Sequence, residues 1–273
     1  MSFDPSLPEE GANVSPTHPL REAALLVGGL LGVVVLVAVG VALLVDLLVP
    51  RLPPRLESRL FAGGWAALTD DSPEAGARSA GLQQLVDRLA RHWPENPYAL
   101  RAALWEQEEP NAFALPGGWI VVTSGLLDGV GSENELAFVV GHELGHFEHR
   151  DHLRGLGRGL ALGLLLAGLG VSGAGAAGDL AGLAAQLAQR SFDRDQEHRA
   201  DAFGLALVAA EYGHVAGAGQ FFDEVPGGGD DLGGRLEAYL STHPLHEDRV
   251  AALTTLAVES GWPTRGELTA LPD

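Results

Sequence analysis

The pattern of hydrophobic and polar positions separates one long apolar segment from a longer region of mixed periodicity. Ala23–Val45 holds 23 residues without a charged side chain. As a helix this segment would be about 35 Å long, enough to cross about 30 Å of hydrocarbon. It is longer than the apolar core of a signal peptide, and no basic residue precedes Arg21. We therefore predict an uncleaved transmembrane helix over 23–49, preceded by a polar arm over 1–22.

The segment that follows this helix is rich in proline. Residues 50–57 include Pro53 and Pro54, and proline is poorly tolerated inside a helix. The pattern predicts an extended, rigid linker here. One domain is expected over 58–260, followed by a short C-terminal tail over 261–273.

Periodicity within this domain favours helices together with a small sheet. Pro73–Arg91 has apolar residues at helical spacing, which are Leu82, Leu85, Val86 and Leu89. Ala99–Glu106, Ala112–Leu115 and Trp119–Thr123 are typical of strands, and the turn residues PGG separate the last two. Ser132, with a glutamate three residues later, predicts a capping box at the start of a further helix. The expected fold class is α+β, mainly helical.

Charge and composition narrow the classes of function. The chain has 17 basic and 36 acidic residues, a formal net charge of −19. Such a charge would repel a phosphate backbone, so we do not expect nucleic acid as a partner. Because the chain has no cysteine, any metal ion must be bound by His, Asp or Glu. Charged residues make up 19%, below the usual share, which favours a surface that partly faces a membrane.

The segment FVVGHELGHFEHRDHLRG, 138–155, places ionisable residues in a helical pattern. His142 and His146 are four residues apart, so both imidazoles lie on the same side of a helix and can bind one ion. Glu143 falls on the apolar stripe of that helix, where a carboxylate is costly without a strong partner. This H-E-x-x-H pattern predicts a zinc site in which Glu143 acts on a water molecule.

Two further histidines follow at a spacing that other zinc sites also use. His142, His146 and His152 match H-E-x-x-H-x-x-G-x-x-H, except that His149 replaces the glycine that turns the chain back to the metal. In a continuing helix His152 would lie about 15 Å along the axis from His142, too far to share an ion. That class also has a methionine turn, and Met1 is the only methionine in the sequence. We expect His149 and His152 to be surface or supporting residues rather than ligands.

A catalytic zinc needs a third protein ligand, with its fourth position left open. Downstream of the motif, Glu197 and Asp201 lie four residues apart in a helical stretch, and two such carboxylates repel each other unless a cation is close. Apolar residues of the same helix place the pair beside the core. Glu197 is therefore the candidate third ligand. The alternative is an exposed acidic face balanced by Arg194 and Arg199.

Four segments, in this order, resemble one known family. They are NAFALPGGWIVVTSGLL (111–127), GHELGHFEHRDH (141–152), RDQEHRADAFG (194–204) and STHPLHEDR (241–249). They are similar to the membrane-associated zinc metallopeptidase family, of gluzincin type, that includes HtpX and the CAAX prenyl endopeptidases. The resemblance covers about 58–258 and implies a zincin-like metallopeptidase domain. HtpX and the prenyl endopeptidases cross the membrane several times, whereas this chain has one clear span.

The resemblance also implies roles for individual residues. It implies His142, His146 and Glu197 as zinc ligands, Glu143 as general base, Asp201 as a supporting carboxylate, and His243 and Arg249 close to the metal. One Zn²⁺ per chain is expected, with protein or peptide substrates.

These residues predict a zinc metalloendopeptidase, in which Glu143 takes a proton from water and passes it to the leaving amine. An extended segment of the chain is expected to hold substrate as an added strand, through backbone hydrogen bonds. The residues expected to do so are Asn111, Ala112, Phe113 and Ala114. Three roles remain open for His243: it stabilises the oxyanion, it occupies the fourth zinc position until substrate displaces it, or it only caps the chain before a proline.

Two other classes of function remain open. A zinc-binding, chaperone-like module or pseudoprotease would bind unfolded chains without cleaving them, although such proteins commonly lack the general base that is present here as Glu143. A metal-free membrane scaffold is the other. For the protease, quality control of membrane or envelope proteins is the expected setting.

A second apolar segment, Gly159–Gly178, contains 20 residues without charge, and hydropathy alone would predict a second span. His142 and Glu197 flank it and must meet one ion on the same side of a bilayer, which excludes a single crossing. Two crossings need about 40 apolar residues. Only 35 residues lie between Arg154 and Arg190. We predict a helical pair that packs over the active site as a lid or dips into the membrane surface.

The flanks of the first span set the expected orientation. Arg51, Arg55 and Arg59 follow it, whereas Arg21 alone precedes it. Because basic residues favour the cytoplasmic side, we expect a single-pass protein of the cell (inner) membrane with its catalytic domain in the cytoplasm. The sequence carries no signal for an oligomeric state.

Overall fold

The computed structural model of the chain describes residues 19–61, 73–168, 192–219, 243 and 247–271. In chain order its elements are α1 (Pro19–Leu48), a 3₁₀ turn (Val49–Arg51), α2 (Pro54–Phe61), α3 (Pro73–Ala90), β1 (Arg101–Trp105), β2 (Ala112–Leu115), β3 (Trp119–Thr123), α4 (Ser124–Gly129), α5 (Glu133–Glu148), α6 (Asp151–Gly168), α7 (Arg194–Tyr212) and α8 (Glu247–Glu259). The fold is α+β and mainly helical, as predicted. Most of the predicted polar arm, and residues 169–189 of the predicted helical pair, lie outside the described residues.

Helix α1 contains the long apolar segment. It has 30 residues, and among the described residues it is the one helix long and apolar enough to cross a membrane. Its large apolar side chains are exposed, and Leu26 and Leu36 are each 74% accessible. Because water solvates such a surface poorly, α1 requires an apolar environment around most of its circumference.

The prediction of an extended linker after α1 is wrong. A 3₁₀ turn at Val49–Arg51 follows α1, and helix α2 begins at Pro54. Proline is tolerated in the first turn of a helix, where its missing N–H would have had no intrahelical partner. The buried Glu57 of α2 accepts a hydrogen bond from Gly117 N–H at 2.9 Å, and its Oε1 lies 2.9 Å from His152 Nε2. Helix α2 is therefore packed onto the domain and does not act as a spacer.

The sheet has the strand order β1-β3-β2. Strands β2 and β3 form the predicted antiparallel hairpin. Their turn contains Gly117 and Gly118, whose φ angles of +93° and +91° suit glycine. Strand β1 occupies the centre of the predicted strand segment and lies parallel to β3. This parallel pairing was not predicted from the sequence.

Side chains of α3 close the outer edge of β1. Gln83 accepts a hydrogen bond from Ala102 N–H at 2.7 Å, and Ser79 accepts one from Leu104 N–H at 3.4 Å. These bonds take up the backbone donors that another strand would need. The predicted apolar stripe of α3 lies on its other side in the core, where Leu82, Leu85, Val86 and Leu89 are at most 1% exposed.

The outer edge of β2 faces the interior of the domain. The carbonyl of Asn111 accepts a hydrogen bond from Thr123 N–H at 2.9 Å, so residue 111 bonds towards β3. Because backbone groups alternate along an antiparallel strand, Ala112 and Ala114 direct theirs to the opposite edge. Helix α5 packs against β2. Among the described residues, the edge of the sheet that pairs with no other strand therefore lies beside this helix.

Residues on both sides of its first turn fix the start of α5. The side chain of Ser132 accepts a hydrogen bond from Glu135 N–H at 3.2 Å, which is half of the predicted capping box. The carboxylate of Glu135 accepts from Gly131 N–H at 2.8 Å. Thr269 in the C-terminal tail accepts from Glu133 N–H at 2.9 Å, so the tail packs onto the domain.

Helices α5 and α7 approach each other closely because small residues line their contact. A Cβ atom on Gly145 would lie 2.6 Å from the Cα of Ala200, and one on Gly141 would lie 2.9 Å from the Cα of Gly204. Each of these two α5 glycines directly precedes a histidine of the H-E-x-x-H motif. The close approach therefore brings the motif against the acidic residues of α7.

Candidate active site

The two helices bring the three predicted zinc ligands together. The Nε2 atoms of His142 and His146 are 3.1 Å apart. The carboxylate oxygens of Glu197 lie 3.5 Å from His142 Nε2 and 3.6 Å from His146 Nε2, and all three side chains are 0% exposed. Ligand atoms around a tetrahedral zinc ion, with bonds near 2.1 Å, are about 3.4 Å apart. These three side chains therefore fit one zinc ion.

A carboxylate orients each of the two histidines. His142 Nδ1 lies 2.8 Å from Asp201 Oδ1, and His146 Nδ1 lies 3.3 Å from Asp151 Oδ2. A carboxylate at Nδ1 accepts the ring proton there and leaves the lone pair of Nε2 for a metal. Burial lowers the pKa of His142, and it lowers the pKa of His146 to about 3. Both rings are thereby kept neutral, which metal binding requires.

Arg249 links the two acidic residues of α7. It is fully buried, donates to Asp201 from Nε at 2.8 Å and from Nη2 at 2.6 Å, and places Nη1 2.8 Å from Glu197 Oε2. Burial alone would raise the pKa of Asp201, but hydrogen bonds with His142 and Arg249 hold that pKa below its ordinary value. Because Glu197 and Asp201 are both buried, they do not form the exposed acidic face that was the alternative. The two carboxylates were expected to need a nearby cation, and Arg249 supplies one. Their spacing is therefore not by itself evidence for a metal.

Glu143 projects into the same cluster. Burial raises its pKa well above the ordinary value and the charge of Glu197 raises it further, while the backbone of Ala114 and the charge of Arg249 act in the opposite direction. His142, Glu143, His146 and His243 each offer an atom within 4.8 Å of the others, so Glu143 also lies within reach of an ion. Glu197 is the better third ligand because its oxygens lie within 3.6 Å of both Nε2 atoms. Glu143 is thus available for proton transfer.

His243 lies at the remaining side of the site. Its Nδ1 is 3.1 Å from His142 Nε2 and 3.2 Å from Glu197 Oε1, while its Nε2 is 3.4 Å from Glu143 Oε1. Burial and the charge of Arg249 lower the pKa of His243 to about 3. A neutral ring at these distances could serve as a fourth zinc ligand. It could equally well contact the substrate.

The outer edge of β2 completes the site. The backbone of Ala114 interacts with the Glu143 carboxylate, and the backbone of Ala112 interacts with the His243 ring. Of the residues predicted to bind substrate, these two direct their backbone groups into the site. The backbone of Asn111 bonds to β3 instead, and the backbone groups of Phe113 also face β3.

His149 and His152 lie outside the ligand cluster. His149 Nδ1 is 2.8 Å from the carbonyl oxygen of Gly145, which places it at the C-terminal end of α5. His152 is 2% exposed, so it is not a surface residue, and its Nδ1 lies 3.3 Å from the carbonyl oxygen of His146. Within the described part of the chain, both therefore act as structural neighbours of the site.

Two residues of the site, Asp151 and Phe192, were not predicted from the sequence. Asp151 contacts His146 as described above, and its signal in the sequence was an acid placed five residues after a histidine of the H-E-x-x-H motif. The ring of Phe192 stacks on His146, with centroids 3.9 Å apart and an interplanar angle of 17°, and its centroid lies 5.4 Å from that of His243. No local pattern could reveal this contact, because it forms where the chain returns to the site.

Comparisons with known proteins agree with this geometry. The profile of peptidase family M48 matches residues 76–257. The chain is 37% identical over 141 residues to the mitochondrial metalloendopeptidase OMA1 of Arabidopsis thaliana, covering 51% of this chain and 28% of that protein. It is 34% identical over 155 residues to a protease HtpX homolog of Pyrobaculum calidifontis, covering 48% and 43% of the two chains. A second HtpX homolog, from Ralstonia nicotianae, is 29% identical over 225 residues, covering 67% and 74%. The chain spans less than half the length of the first two relatives.

Proposed function

The chain belongs to peptidase family M48, and we propose that it is a zinc metalloendopeptidase anchored to a membrane by α1. One observation carries the proposal. The side-chain atoms of His142, His146 and Glu197 lie at the separations of tetrahedral ligands, fully buried, with Glu143 beside them. These three residues would hold the zinc ion, and proteins or peptides would be the substrates.

The chemistry divides between the metal and the protein. Zinc, when bound, acts as a Lewis acid that lowers the pKa of water and polarises the scissile carbonyl group. Glu143 takes a proton from the attacking water at a carboxylate oxygen and then gives it to the leaving amine. The raised pKa of Glu143 helps it to keep this proton between the two steps. Because Glu143 and the three ligand residues are fully buried, few other water molecules would have access to the reaction.

We propose that His243 closes the site at rest. Its Nδ1 lies at ligand distance from His142 and Glu197, and its Nε2 faces Glu143 at 3.4 Å. Substrate must then displace His243 from this position, after which a ring proton on Nε2 can stabilise the developing oxyanion.

We propose that substrate extends the sheet at the outer edge of β2. This edge lies at the site, whereas side chains of α3 already bond to β1. Ala112 and Ala114 would bond directly to the substrate backbone, while Asn111 and Phe113 would hold the edge in place through β3. Backbone recognition of this kind makes few demands on substrate side chains, so specificity should be broad.

Two substitutions separate the roles of base and ligand in the full-length protein. Glu143→Ala should keep about one zinc ion per chain but lose casein hydrolysis, because the base is not among the three ligands. Glu197→Ala should lose both zinc affinity and hydrolysis. Glu148→Ala, at an exposed glutamate of the same helix, is the matched control and should change neither. Normal zinc content in Glu197→Ala would contradict the ligand assignment.

The same assay tests the competing functions. A pseudoprotease would bind zinc and unfolded chains but would leave Glu143 without a role. A metal-free scaffold would bind no zinc. Hydrolysis of casein by the unmodified chain, abolished by a chelator and restored by zinc, would exclude both.

We also propose that the domain lies on the cytoplasmic side of the cell (inner) membrane. Support comes from Arg51, Arg55 and Arg59, which are exposed just after α1. A tag placed after Asp273 should resist protease in intact spheroplasts and be digested after lysis. Digestion before lysis would contradict this orientation.

A further inference from the structure

The end of α1 is bonded to the junction between α5 and α6. Arg150 lies between these two helices and has a φ angle of +57°. Its Nη1 donates to the carbonyl oxygens of Val49 at 2.7 Å and Leu52 at 2.6 Å, and its Nη2 lies 3.3 Å from the buried carboxylate of Glu57. Helix α6 therefore begins where α1 ends.

From this junction, α6 runs back along α1. A Cβ atom on Gly157 would lie 3.0 Å from a methyl group of Val45. One residue further along α6, Arg158 donates to both carboxylate oxygens of Asp46 at 2.6 and 2.7 Å. As residue numbers rise from Arg150 to Arg158, the numbers of their partners in α1 and its 3₁₀ turn fall. The two helices are therefore antiparallel.

The contact surface on α1 matches the length of α6. The half-buried positions of α1 form a stripe at helical spacing, which is Val34, Ala38, Val41, Ala42, Val45 and Asp46. Gly157 and the end of α6 at Gly168 are 11 residues apart, a rise of about 16 Å. Counting 11 residues back from Val45 reaches Val34, where the stripe ends. The half-buried stripe of α1 therefore has the same length as the part of α6 that follows Gly157.

We propose that α6 enters the bilayer beside α1, and that its partner there is the hydrocarbon of the lipid. The proposal rests on the membrane anchoring by α1 in the proposed function. The Asp46–Arg158 ion pair marks the level beyond which neither helix has a charged residue. No charged residue occurs in α1 over 23–45 or in α6 over 159–168. Pairing neutralises these two charges at the boundary of the apolar layer. This placement differs from a lid over the site and from a helix lying on the membrane surface.

The inserted helix is directly connected to the proposed zinc site. Asp151, the first residue of α6, contacts His146, and Arg158 follows seven residues later. Seven residues of helix rise about 10 Å. The catalytic cluster would thus be held about two helical turns from the apolar layer by two helices, each fixed at the Arg150 junction.

Depth measurements on single-cysteine variants test this proposal, because the natural chain has no cysteine. The full-length protein in phosphatidylcholine vesicles would carry a fluorophore at Leu164→Cys, in α6. Val39→Cys is the reference for a position in lipid, because Val39 lies at the same level of α1 and is 53% exposed on the helix surface. Glu95→Cys is the reference for a position in water, because Glu95 is exposed on the domain. Lipids with a nitroxide on the acyl chain should quench positions 164 and 39 to a similar extent and leave position 95 unchanged. Retained casein hydrolysis would show that each variant is folded.

The other outcomes are distinguishable. If position 39 is quenched but position 164 is quenched no more than position 95, the insertion of α6 is wrong, and the anchoring by α1 still holds. No quenching at either helical position would overturn both the insertion and the proposed anchoring by α1.

A disulfide tests the pairing itself. The Cβ position at Gly157 is 3.7 Å from the Cβ of Val45, close to the value of about 3.8 Å in ordinary disulfides. Val45→Cys with Gly157→Cys should therefore lose both free thiols on mild oxidation, measured by a maleimide-polymer gel shift. Leu44→Cys with Gly157→Cys is the control, because Leu44 is exposed on another face of α1. Equal loss of thiols in the two pairs, or none in either, would overturn the pairing.

Discussion

Gly145 allows a direct test of how helix packing builds the zinc site. In Gly145→Ala the new methyl group would lie 2.6 Å from Ala200 Cα and 2.9 Å from Ala200 O, where ordinary contacts are 3.4–4 Å. Both neighbours are backbone atoms of α7, so relief requires the helices to separate by about 1 Å, at the cost of about 1–3 kcal/mol that overpacking usually carries. Alanine would otherwise stabilise a helix interior by about 0.5–1 kcal/mol relative to glycine. The expected net effect is a loss of about 0.5–2 kcal/mol in the free energy of unfolding.

The same displacement should weaken zinc binding. His146 Nε2 and Glu197 Oε1 are already 3.6 Å apart. Moving α7 outwards by about 1 Å would take this pair much further from the spacing of about 3.4 Å between the ligand atoms of a tetrahedral ion. We expect zinc affinity to fall about 10- to 100-fold, the range seen when the support of a ligand is lost. Competition with a chelating dye would measure it, and casein hydrolysis at limiting zinc should fall in parallel.

Gly76→Ala is the matched control for this prediction. Gly76 lies in α3, and a Cβ atom there would meet nothing within 4 Å. The control should gain up to about 1 kcal/mol in stability and keep its zinc affinity. If Gly145→Ala behaved like Gly76→Ala in both measurements, the close approach of α5 and α7 would not be what sets the ligand spacing.

Two further predictions concern residues around the site. His243→Ala should keep zinc, because three ligands remain, but should change the rate and the pH profile of hydrolysis; identical kinetics from about pH 5 to 9 would leave it only a capping role. Glu57→Gln should lower the melting temperature at pH 7, and the difference from the unmodified chain should shrink as the pH falls below 4.5: burial raises the pKa of Glu57, but the histidine, amide and arginine that contact it bring the pKa below 4.5. The stabilisation by this carboxylate is therefore fully present above the unfolded-state value and is lost as the pH falls through the folded-state pKa, so a difference that stays constant over the whole acid range in which the chain still melts cooperatively would contradict it.

The features that the sequence predicted well depend on local geometry. The position of His142 and His146 on one side of α5 could be predicted from the helical repeat. The bounds of the hairpin strands, Ala112–Leu115 and Trp119–Thr123, could be predicted from apolar runs around a glycine turn. Glu197 could be chosen because its helix carries both a second acid and an apolar stripe. In each case, residues within one or two turns of each other determine the structure.

The features that the sequence did not predict depend on long-range contacts. The parallel pairing of β1 with β3 requires a crossover, and nothing in either strand specifies it. The helix at Pro54 was missed because proline was treated as a helix breaker, although the first turn accepts it. The bond between Glu57 and His152 joins residues 95 positions apart, so its partners became visible only after folding.

The closed edge of β1 has a consequence for self-association. Of the two edges of the described sheet, β2 offers the one through which two copies of this chain could join edge to edge, since Gln83 and Ser79 already bond to backbone donors of β1. Such a dimer would fill the groove in which a substrate is proposed to bind. Crowding of the protein in the plane of the membrane would then act as competitive inhibition, and the activity per molecule would be highest when the copies are far apart.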